Sequence, residues 1–595
     1  MSMRRTKALP AIALVASASL VLSACGGGGG GGSDANGGDA TVAEMAVARG
    51  ESADGYTAPD TKQSDQVVVS TDKAFTAYNN ATEDANQSYN TFALVLTQPG
   101  AHILNGNNKY SVNKDVMESV EVTSKSPQVV TWKLKKGVTW SDGEAWDCDD
   151  FYMAWFTQSN SSKKADGSKY FKPAGSTGYD LMTGECKDDQ TFVGNFADPY
   201  PDYIGLFNND VLPAHILEKN AGIADITKLN KDSAAADIQK AADFWNEKWN
   251  GFTAALMPGA GPYVLTAFEP NQSVTLERNP KWVGKPGGPA KIILKAIPDP
   301  VAQAQALENG EVAVNSMAQP DANAATKLKG LSAQGITFGA GPGLSFEHFD
   351  IQMKHPVLSK EEIRKAFFMC VKRQDIIDKL ISEVQSDAKP LGSLIFFPKD
   401  EGYKDLYAEK AKGDAAEAKK ILSDAGWTQG ADGVFAKDGV RASFRISHTD
   451  IPRRKQTVEL VQGQCKEAGI EVKDDTDPNF LDERVSQGDY DVALFAWSGG
   501  PTKSDKKSIY ETGGGQNWQN VAIPAADEAF KSAVSQTSIA DSLKFFQKAD
   551  EEISNAYASL PLFQMPNMWA FKGLDRVYFQ SYYGALWNAN EWQTK

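Results

Sequence analysis

The chain has 595 residues and is acidic, with 61 Lys and Arg residues against 76 Asp and Glu residues. This charge balance argues against binding to nucleic acid or to an anionic bilayer surface, because both need clustered cations. The length exceeds what one hydrophobic core usually supports, so we expect two or three lobes.

The first 24 residues have the layout of a secretory signal peptide, with a basic start and a mostly apolar stretch that ends in Leu-Ser-Ala-Cys. A small-residue cleavage site directly before a cysteine is a bacterial lipobox, in which Cys25 receives a diacylglycerol. A transmembrane anchor is the alternative, but Pro10 and three serines interrupt the stretch, which falls short of the ~20 apolar residues that a span needs. We therefore expect an extracytoplasmic protein that is anchored to the outer face of the cell membrane by lipid alone.

The segment from residue 25 to residue 65 is predicted to be a flexible tether. It begins with seven consecutive glycines at 26–32 and continues in small and polar residues without clear periodicity. Such a segment cannot bury a core.

Four further cysteines, an even number in an oxidising compartment, predict two disulfides. We expect Cys148–Cys186 and Cys370–Cys465, since each pair then closes within one lobe, although buried free thiols stay open for Cys370 and Cys465. No C-x-x-C motif or Cys/His cluster occurs, so neither a metal site nor a cofactor is predicted. The five histidines are scattered, and ordinary core or surface roles are favoured over metal ligation.

Hydrophobic patterns divide the body into helices and strands. The predicted strands are 66–71, 128–134, 442–448, 470–474, 490–497 and 561–571, with two more inside 260–278. The predicted helices include 83–96, 359–382, 453–468 and 479–487, and Ser359 with Glu362 is expected to cap the second of these. From residue 290 onward the alternation of strand and helix predicts β-α-β units on a largely parallel sheet.

Several segments occur in an order that resembles one family. After the lipobox come VTWKLKKGVTWSDGEAWDCDDFYMAW (130–155), LPAHILEK (212–219), GAGPYVLTAFEPNQSVTLERNPKW (259–282), ALENGEVAV (306–314), EEIRKAFFMCVKRQDII (361–377) and GDYDVALFAW (488–497). Together they resemble the family 5 extracellular solute-binding proteins, the oligopeptide- and dipeptide-binding proteins of ABC importers, in their actinobacterial lipoprotein form.

The resemblance implies an α/β fold of the periplasmic-binding-protein type II, or Venus-flytrap, class, in which two lobes close over a ligand at a hinge. Lobe I would comprise 66–100, 250–325 and 562–595, with an inserted subdomain at 101–249. Lobe II would be 326–561.

Trp497 is the leading candidate for ligand contact. It ends a strand, and in the family the tryptophan at this point lines the pocket, followed here by Ser498 and Gly499. A core tryptophan at a strand end is the alternative. The weaker candidates for ligand contact are Asn79, Asn80, Tyr89, Tyr179, Asn517 and Trp518.

One position departs from the family. Peptide-binding relatives carry an aspartate three residues after this tryptophan, which pairs with the peptide α-amino group, whereas this chain has Gly500. The sequence therefore predicts that affinity depends little on a free ligand amine, unless Asp505 in the following loop takes over the ion pair.

No motif of hydrolase, metalloprotease or nucleotide chemistry is present, so we predict a binding protein without catalytic residues. The first interpretation is a monomeric, lipid-anchored substrate-binding protein that delivers an oligopeptide-like solute to an ABC permease and its ATPase. The alternatives are a cell-envelope accessory or regulatory lipoprotein, or a carrier of oligosaccharide or glycolipid.

Overall fold

The computed structural model describes residues 51–52, 54–106 and 108–595. The signal peptide, the lipobox Cys25 and the glycine run lie outside the described residues. Within the ranges described, no helix is both long enough and apolar enough to cross a membrane.

The fold begins earlier than the predicted end of the tether. Tyr56 and Ala58 are buried, and the backbone N–H of Ala58 donates to Asp115 Oδ2 at 3.0 Å. The tether prediction is therefore wrong for the residues from about 55 onward, because two apolar side chains in this polar stretch pack against the body.

The strands are, in chain order, β1 (Glu51–Ser52), β2 (Gly55–Tyr56), β3 (Ser64–Thr71), β4 (His102–Leu104), β5 (Tyr110–Val112), β6 (Met117–Lys125), β7 (Gln128–Leu134), β8 (Met182–Asp188), β9 (Thr191–Phe196), β10 (Tyr263–Glu269), β11 (Ser273–Arg278), β12 (Pro289–Ala296), β13 (Val314–Met317), β14 (Ile336–Ile351), β15 (Thr428–Gln429), β16 (Phe435–Lys437), β17 (Val440–Arg441), β18 (Ser443–His448), β19 (Glu471–Thr476), β20 (Val492–Ser498), β21 (Ser559–Lys572), β22 (Leu574–Asp575) and β23 (Gln593–Thr594).

The α-helices are α1 (Ser88–Thr97), α2 (Cys148–Gln158), α3 (Ala214–Ala221), α4 (Ala235–Glu247), α5 (Pro300–Glu308), α6 (Ala322–Gly330), α7 (Glu361–Cys370), α8 (Arg373–Leu380), α9 (Ala415–Asp424), α10 (Pro452–Glu467), α11 (Lys507–Tyr510), α12 (Pro524–Val534) and α13 (Ile539–Asn555). Short 3-10 turns at Pro201–Gly205 and Ser504–Lys506 carry residues of the site described below.

A ten-stranded sheet forms the frame of both lobes, in the order β10-β11-β12-β3-β13-β21-β14-β20-β18-β19. Strand β3 is parallel to both of its neighbours, β12 and β13, and β18 is parallel to both of its neighbours, β20 and β19. All other neighbouring strands in this sheet are antiparallel. The sheet is therefore mixed, and the prediction of a largely parallel sheet is wrong. The difference arises because β14 and β21, which join the lobes, run antiparallel to each other and to their other neighbours.

The long strands β14 and β21 carry the chain between the lobes. Pro342 pairs with Pro566 and Phe346 with Gln564, so the register shifts where three residues of β14 face one of β21. The first part of β14 continues the lobe that holds β3 and β13, and its second part pairs with β20. Two strands with a shared irregularity suit a hinge. The exact lobe limits stay a prediction.

The inserted segment has its own four-stranded antiparallel sheet in the order β6-β7-β9-β8. Trp132 on β7 lies between Phe192, at a ring distance of 5.9 Å, and Phe207, at 5.0 Å. This aromatic core gives the insertion a packed interior of its own.

Both predicted disulfides are present in the structure. Cys148 on α2 is bonded to Cys186 on β8 with Cα atoms 5.8 Å apart, and Cys370 on α7 is bonded to Cys465 on α10 with Cα atoms 5.2 Å apart.

Two helix predictions are corrected. The helix expected at 359–382 is divided into α7 and α8, because Val371 and Lys372 leave helical geometry and the Lys372 N–H donates to Gln464 Oε1 at 2.9 Å. Its expected capping box is not formed, since Lys360 is the N-cap and the Ser359 hydroxyl donates to the Pro356 carbonyl instead.

The helix expected at 83–96 begins only at Ser88. Asn80 Oδ1 accepts from the N–H of Gln87 and from Asn90 Nδ2, at 2.9 and 3.0 Å, and these bonds hold the preceding residues in a turn.

Candidate functional site

The two lobes touch along a cleft at the ends of their strands. Arg453 Nη2, at the start of α10, donates to Gln319 Oε1 of the first lobe at 2.9 Å. Gln87 Nε2 donates to Asp482 Oδ1 at 3.1 Å. In this arrangement the lobes are closed on each other.

A small cavity of about 30 Å³, lined by both polar and apolar side chains, lies at the hinge between the lobes. Hydroxyl groups from both sides face it: Ser88 and Ser316 come from the first lobe, and Ser345 and Ser498 from the second. The hydroxyl oxygens of Ser345 and Ser498 are 3.1 Å apart. A cavity of this volume does not admit a peptide, so the lobes must separate for an oligomeric solute to enter.

Trp497 is buried, at 7% exposure, on the face of β20 opposite to Ser498. Its ring packs on Trp518, with centroids 4.8 Å apart, and on Phe495 at 5.0 Å. Its indole Nε1 has no hydrogen-bond acceptor among the described residues. This placement suits both a core tryptophan and an aromatic platform with a free donor, so the predicted ligand contact of Trp497 stays a prediction.

The space beside Gly500 is filled by another side chain. A Cβ atom built on Gly500 would lie 2.0 Å from Asp505 Oδ2. The Asp505 carboxylate thus occupies the volume where a side chain at position 500 would be. Gly499 supports the same loop through its N–H, which donates to the Leu344 carbonyl at 2.7 Å.

Asp505 is open to solvent but lies among the walls of the cleft. Burial by these walls raises the pKa of its carboxyl, partly offset by a hydrogen bond from Thr502 Oγ1 at 3.0 Å and by nearby lysines. Lys503 is paired with Asp400. The buried Lys506 ammonium lies over the Phe346 ring at 4.9 Å and has no hydrogen-bond acceptor among the described residues, so its charge acts on Asp505 without a direct contact. Within the part of the chain that the structure describes, Asp505 has no ion-pair partner.

A second carboxylate comes toward Asp505 from the insertion. Asp202 is buried, and burial raises its pKa to about 6, with the charge of Asp505 adding to the rise and Ser504 opposing it. Tyr200 joins this side of the cleft, with its hydroxyl 3.2 Å from Ser504 Oγ. Tyr582, which also lines the hinge cavity, has its pKa raised to about 12 by burial and by Asp505. Two acids close enough for their charges to interact can attract a ligand cation, although the charges of Lys503 and Lys506 oppose this attraction.

A buried charged cluster at the other end of the cleft was missed by sequence reasoning. Glu347 on β14 is fully buried, accepts from Arg454 Nε at 2.6 Å and forms an ion pair with Arg453 Nη2 at 2.7 Å. Burial raises the pKa of Glu347, but the two arginines outweigh it and hold the value at about 2. A charged residue inside an apolar strand was the available signal, but β14 itself was not predicted.

Tyr89, which the sequence predicted as a ligand contact, lies near this cluster. It is half-buried on α1, and burial raises the pKa of its hydroxyl. The charge of Asp72 adds to the rise, whereas a hydrogen bond with Gln319 and the charge of Arg454 oppose it. The Tyr89 hydroxyl therefore lies close enough to Arg454 to feel its charge.

Four of the weaker candidates for ligand contact form hydrogen bonds that stabilise local structure instead. Asn79 Nδ2 donates to the Trp245 carbonyl at 2.8 Å, Asn80 organises the turn before α1, and Asn517 Nδ2 donates to the Glu511 and Val521 carbonyls. The Tyr179 hydroxyl donates to Asp210 Oδ2 at 2.6 Å inside the insertion. As ligand contacts these residues stay predictions.

Two lobes, two crossing strands and an interlobe cavity define a binding-protein fold of the hinged, two-lobe class. A family model described as bacterial extracellular solute-binding proteins, family 5, middle region, matches residues 111–520. The chain belongs to this family, which confirms the resemblance found in the sequence.

Individual relatives agree with this assignment. The oligopeptide-binding protein OppA of Mycobacterium tuberculosis is 26% identical over 494 residues, which are 81% of this chain and 77% of the relative. Among solved structures, the periplasmic EDTA-binding protein EppA is 25% identical with a TM-score of 0.79, covering 91% of this chain and 98% of that one. The oligopeptide-binding protein AppA of Bacillus subtilis, in complex with a nonapeptide, shares the fold at 20% identity and a TM-score of 0.76, covering 90% and 100%.

Proposed function

We propose that this chain is the lipid-anchored substrate-binding protein of an ABC importer, which captures an oligopeptide-like solute between its lobes and delivers it to a membrane permease. It performs no catalysis in this role. The observation that carries the proposal is Asp505, whose carboxylate stands beside Gly500 in the cleft of a family 5 binding fold. There it can take the ligand ammonium that an aspartate at position 500 would otherwise hold.

The two acids also explain why a ligand would favour closure. Closing the lobes brings Asp202 of the insertion toward Asp505 of the second lobe, and their like charges oppose each other. A ligand ammonium between them replaces this repulsion with attraction. The solute therefore stabilises the closed form, which is the form that a permease would recognise.

Fluorescence titration with free-ended oligopeptides tests the proposal. Wild-type protein should bind them with a change in tryptophan emission, and Trp497→Ala should weaken binding by ~2 kcal/mol or more, as for a central aromatic anchor. Because Trp497 is buried against Phe495 and Trp518, the alanine variant also leaves a cavity, so Trp497→Phe serves as the milder variant.

Trp569→Phe is the matched control for this titration. Trp569 is also fully buried, and its Nε1 has no hydrogen-bond acceptor among the residues that the structure describes, but its ring stacks on Phe579 at 4.2 Å, on the first-lobe part of β21. The Trp569→Phe variant should be less stable than the wild type but should bind peptides with the same affinity. Equal affinities of the wild type and both Trp497 variants would show that Trp497 is a core residue only.

The lipid anchor has its own test. Cys25→Ala should release the protein from membranes into the medium or block its processing, because no other cysteine lies at a lipobox. Membrane fractionation and the mass of the N-terminal peptide report the outcome. Full membrane retention with an unchanged N-terminal mass would contradict lipidation at this residue.

A further inference from the structure

A second cavity, of about 50 Å³, lies where three distant parts of the chain meet in the first lobe. Tyr56 comes from the N-terminal segment, Tyr110 from the insertion, and Tyr583 and Trp587 from the C-terminal segment. Among the residues described, this cavity shares no lining residue with the hinge cavity. Since one water needs only ~10–15 Å³, the space admits a group of several non-hydrogen atoms.

His102 on β4 lines this cavity with an unused nitrogen. The side chain is buried, at 6% exposure, and its Nδ1 atom has no hydrogen-bond partner among the residues that the structure describes. Burial lowers the pKa of the imidazole to about 4, so the ring is neutral at neutral pH. A neutral ring with its proton on Nε2 accepts a hydrogen bond at Nδ1 and carries no charge that repels a cation.

Asp115 is the acidic group of the cavity wall, and within the described part of the chain no Lys or Arg lines it. Burial raises the pKa of the Asp115 carboxyl, and the charges of Lys135 and Lys285 oppose the rise. Both lysines have other contacts, since Lys135 donates to the Lys114 carbonyl and Lys285 pairs with Asp60 at 2.9 Å. The charge at the wall itself is therefore negative.

Aromatic side chains form much of the remaining wall. Tyr56, Tyr583 and Trp587 are buried, and Tyr110 and Trp282 complete the set. The electron-rich faces of such rings attract organic cations, more strongly where water is excluded. An acid together with several aromatic rings is thus suited to an organic ammonium group.

A turn in the insertion holds two of the wall residues in place. Its Phe207 and Asn209 have φ angles of 58° and 61°, which for a bulky aromatic residue is a strained conformation. Asn208 Oδ1 accepts from the His102 N–H at 3.0 Å, and Asn209 Oδ1 accepts from the Tyr583 hydroxyl at 2.7 Å. Backbone strain of this kind is concentrated at ligand sites, where the surrounding structure maintains it.

We propose that this cavity is a second binding site, which takes the ammonium group of a small primary alkylamine. Asp115 supplies the opposite charge, His102 Nδ1 accepts one ammonium N–H, and the aromatic rings cover the short alkyl chain. A quaternary ammonium suits the site less well, because it has no N–H to donate to His102. The inference goes beyond the proposed function and does not depend on it, since the cavity lies outside the interlobe cleft.

NMR of the histidine rings tests the site directly, because the chain has only five histidines and His102→Phe identifies one signal. The probes are n-propylammonium, its neutral analogue 1-propanol and tetramethylammonium, at constant ionic strength. Propylammonium should shift the His102 signal to saturation, with an affinity about tenfold higher than that of either other probe.

Two variants, followed by calorimetry, assign the contacts. His102→Phe keeps a ring against Tyr110 and removes the acceptor, whereas Asp115→Asn keeps an oxygen for the Ala58 N–H and removes the charge. Each should weaken propylammonium binding about tenfold. Asp60→Asn is the matched control, since Asp60 is 91% exposed and should leave the affinity unchanged. Asp505→Asn should also leave it unchanged, because that carboxylate belongs to the interlobe cleft.

A His102 signal that does not respond to propylammonium would overturn the site, as would equal affinities for propylammonium and propanol. Tighter binding of tetramethylammonium would contradict the hydrogen bond to His102. Binding that survives in folded Asp115→Asn and His102→Phe but is lost in Asp505→Asn would place the amine in the interlobe cleft instead. None of these results alters the peptide titration, so the proposed function is tested separately.

Discussion

Glu347→Gln should lower the free energy of unfolding by about 3–5 kcal/mol, because it leaves two buried arginines without a counter-charge. Glu347 is fully buried, and both of its oxygens lie within 2.7 Å of a guanidinium nitrogen. Urea unfolding of the two proteins at neutral pH measures the difference. The loss should appear in the midpoint, with little change in the slope.

Asp432→Asn is the control for this prediction, since Asp432 and its partner Arg441 are both about half exposed. An exposed pair of this kind contributes about 1 kcal/mol or less. Similar losses for the two variants would contradict the view that the Glu347 cluster is a buried ionic network.

The effect of Glu347 should depend on pH with a definite sign. The arginines hold its pKa at about 2, below its ordinary value of 4.5. Its contribution is therefore fully present above pH 4.5 and is lost as the pH falls toward 2. The difference between wild type and Glu347→Gln should shrink over that interval.

Asp505→Asn should weaken binding of peptides with a free α-amine by about a hundredfold, the loss expected when a charged partner is removed from an ion pair that the bound ligand shields from solvent. Asparagine keeps the size of the side chain and the contact with Thr502, so the loop should remain folded. Asp424→Asn, at an exposed pair with Lys420 on α9, is the control that should leave affinity unchanged.

Low pH should weaken the binding of peptides with a free amine, as the Asp505→Asn substitution does. The pKa of Asp202 is raised to about 6, and that of Asp505 is raised as well. Protonation removes the negative charges that attract an ammonium group. Calorimetric affinity for free-amine peptides should therefore fall as the pH decreases from 7 to 5, for the same reason as in Asp505→Asn.

Local patterning predicted much of the frame. The strand expected at 128–134 coincides with β7, and the helix expected at 453–468 is α10 shifted by one residue. The number of disulfides was predicted from parity and compartment, and their pairing from closure within one lobe. The strand and the helix depend on a few neighbouring residues, which a single sequence displays directly.

The hinge strand β14 and the buried cluster of Glu347, Arg453 and Arg454 could not be predicted from local patterns. β14 contains Gly339, Gly341, Pro342 and Gly343, which hide its alternation and read as a loop. Arg453 and Arg454 follow Pro452 at a helix start and resemble a solvated turn. Their burial results from packing on Glu347, which is more than one hundred residues away in the chain.

The replacement of an aspartate at position 500 by Asp505 could be predicted only in part. The sequence identified the missing aspartate and named Asp505 as its possible replacement. Only the three-dimensional path of the loop places that carboxylate 2.0 Å from the Cβ position of Gly500. Our proposal of amine recognition rests on this placement, whereas the sequence alone predicted little dependence on a free amine.

A comparison of free and N-acetylated forms of one tightly bound peptide tests the central claim most directly. Acetylation removes the positive charge of the amine and changes little else in the peptide. We predict that calorimetry gives a loss of a hundredfold or more for wild-type protein and almost none for Asp505→Asn. Equal affinity of the wild type for the two forms, or tighter binding of a neutral oligosaccharide, would contradict a cleft that holds a ligand ammonium at Asp505.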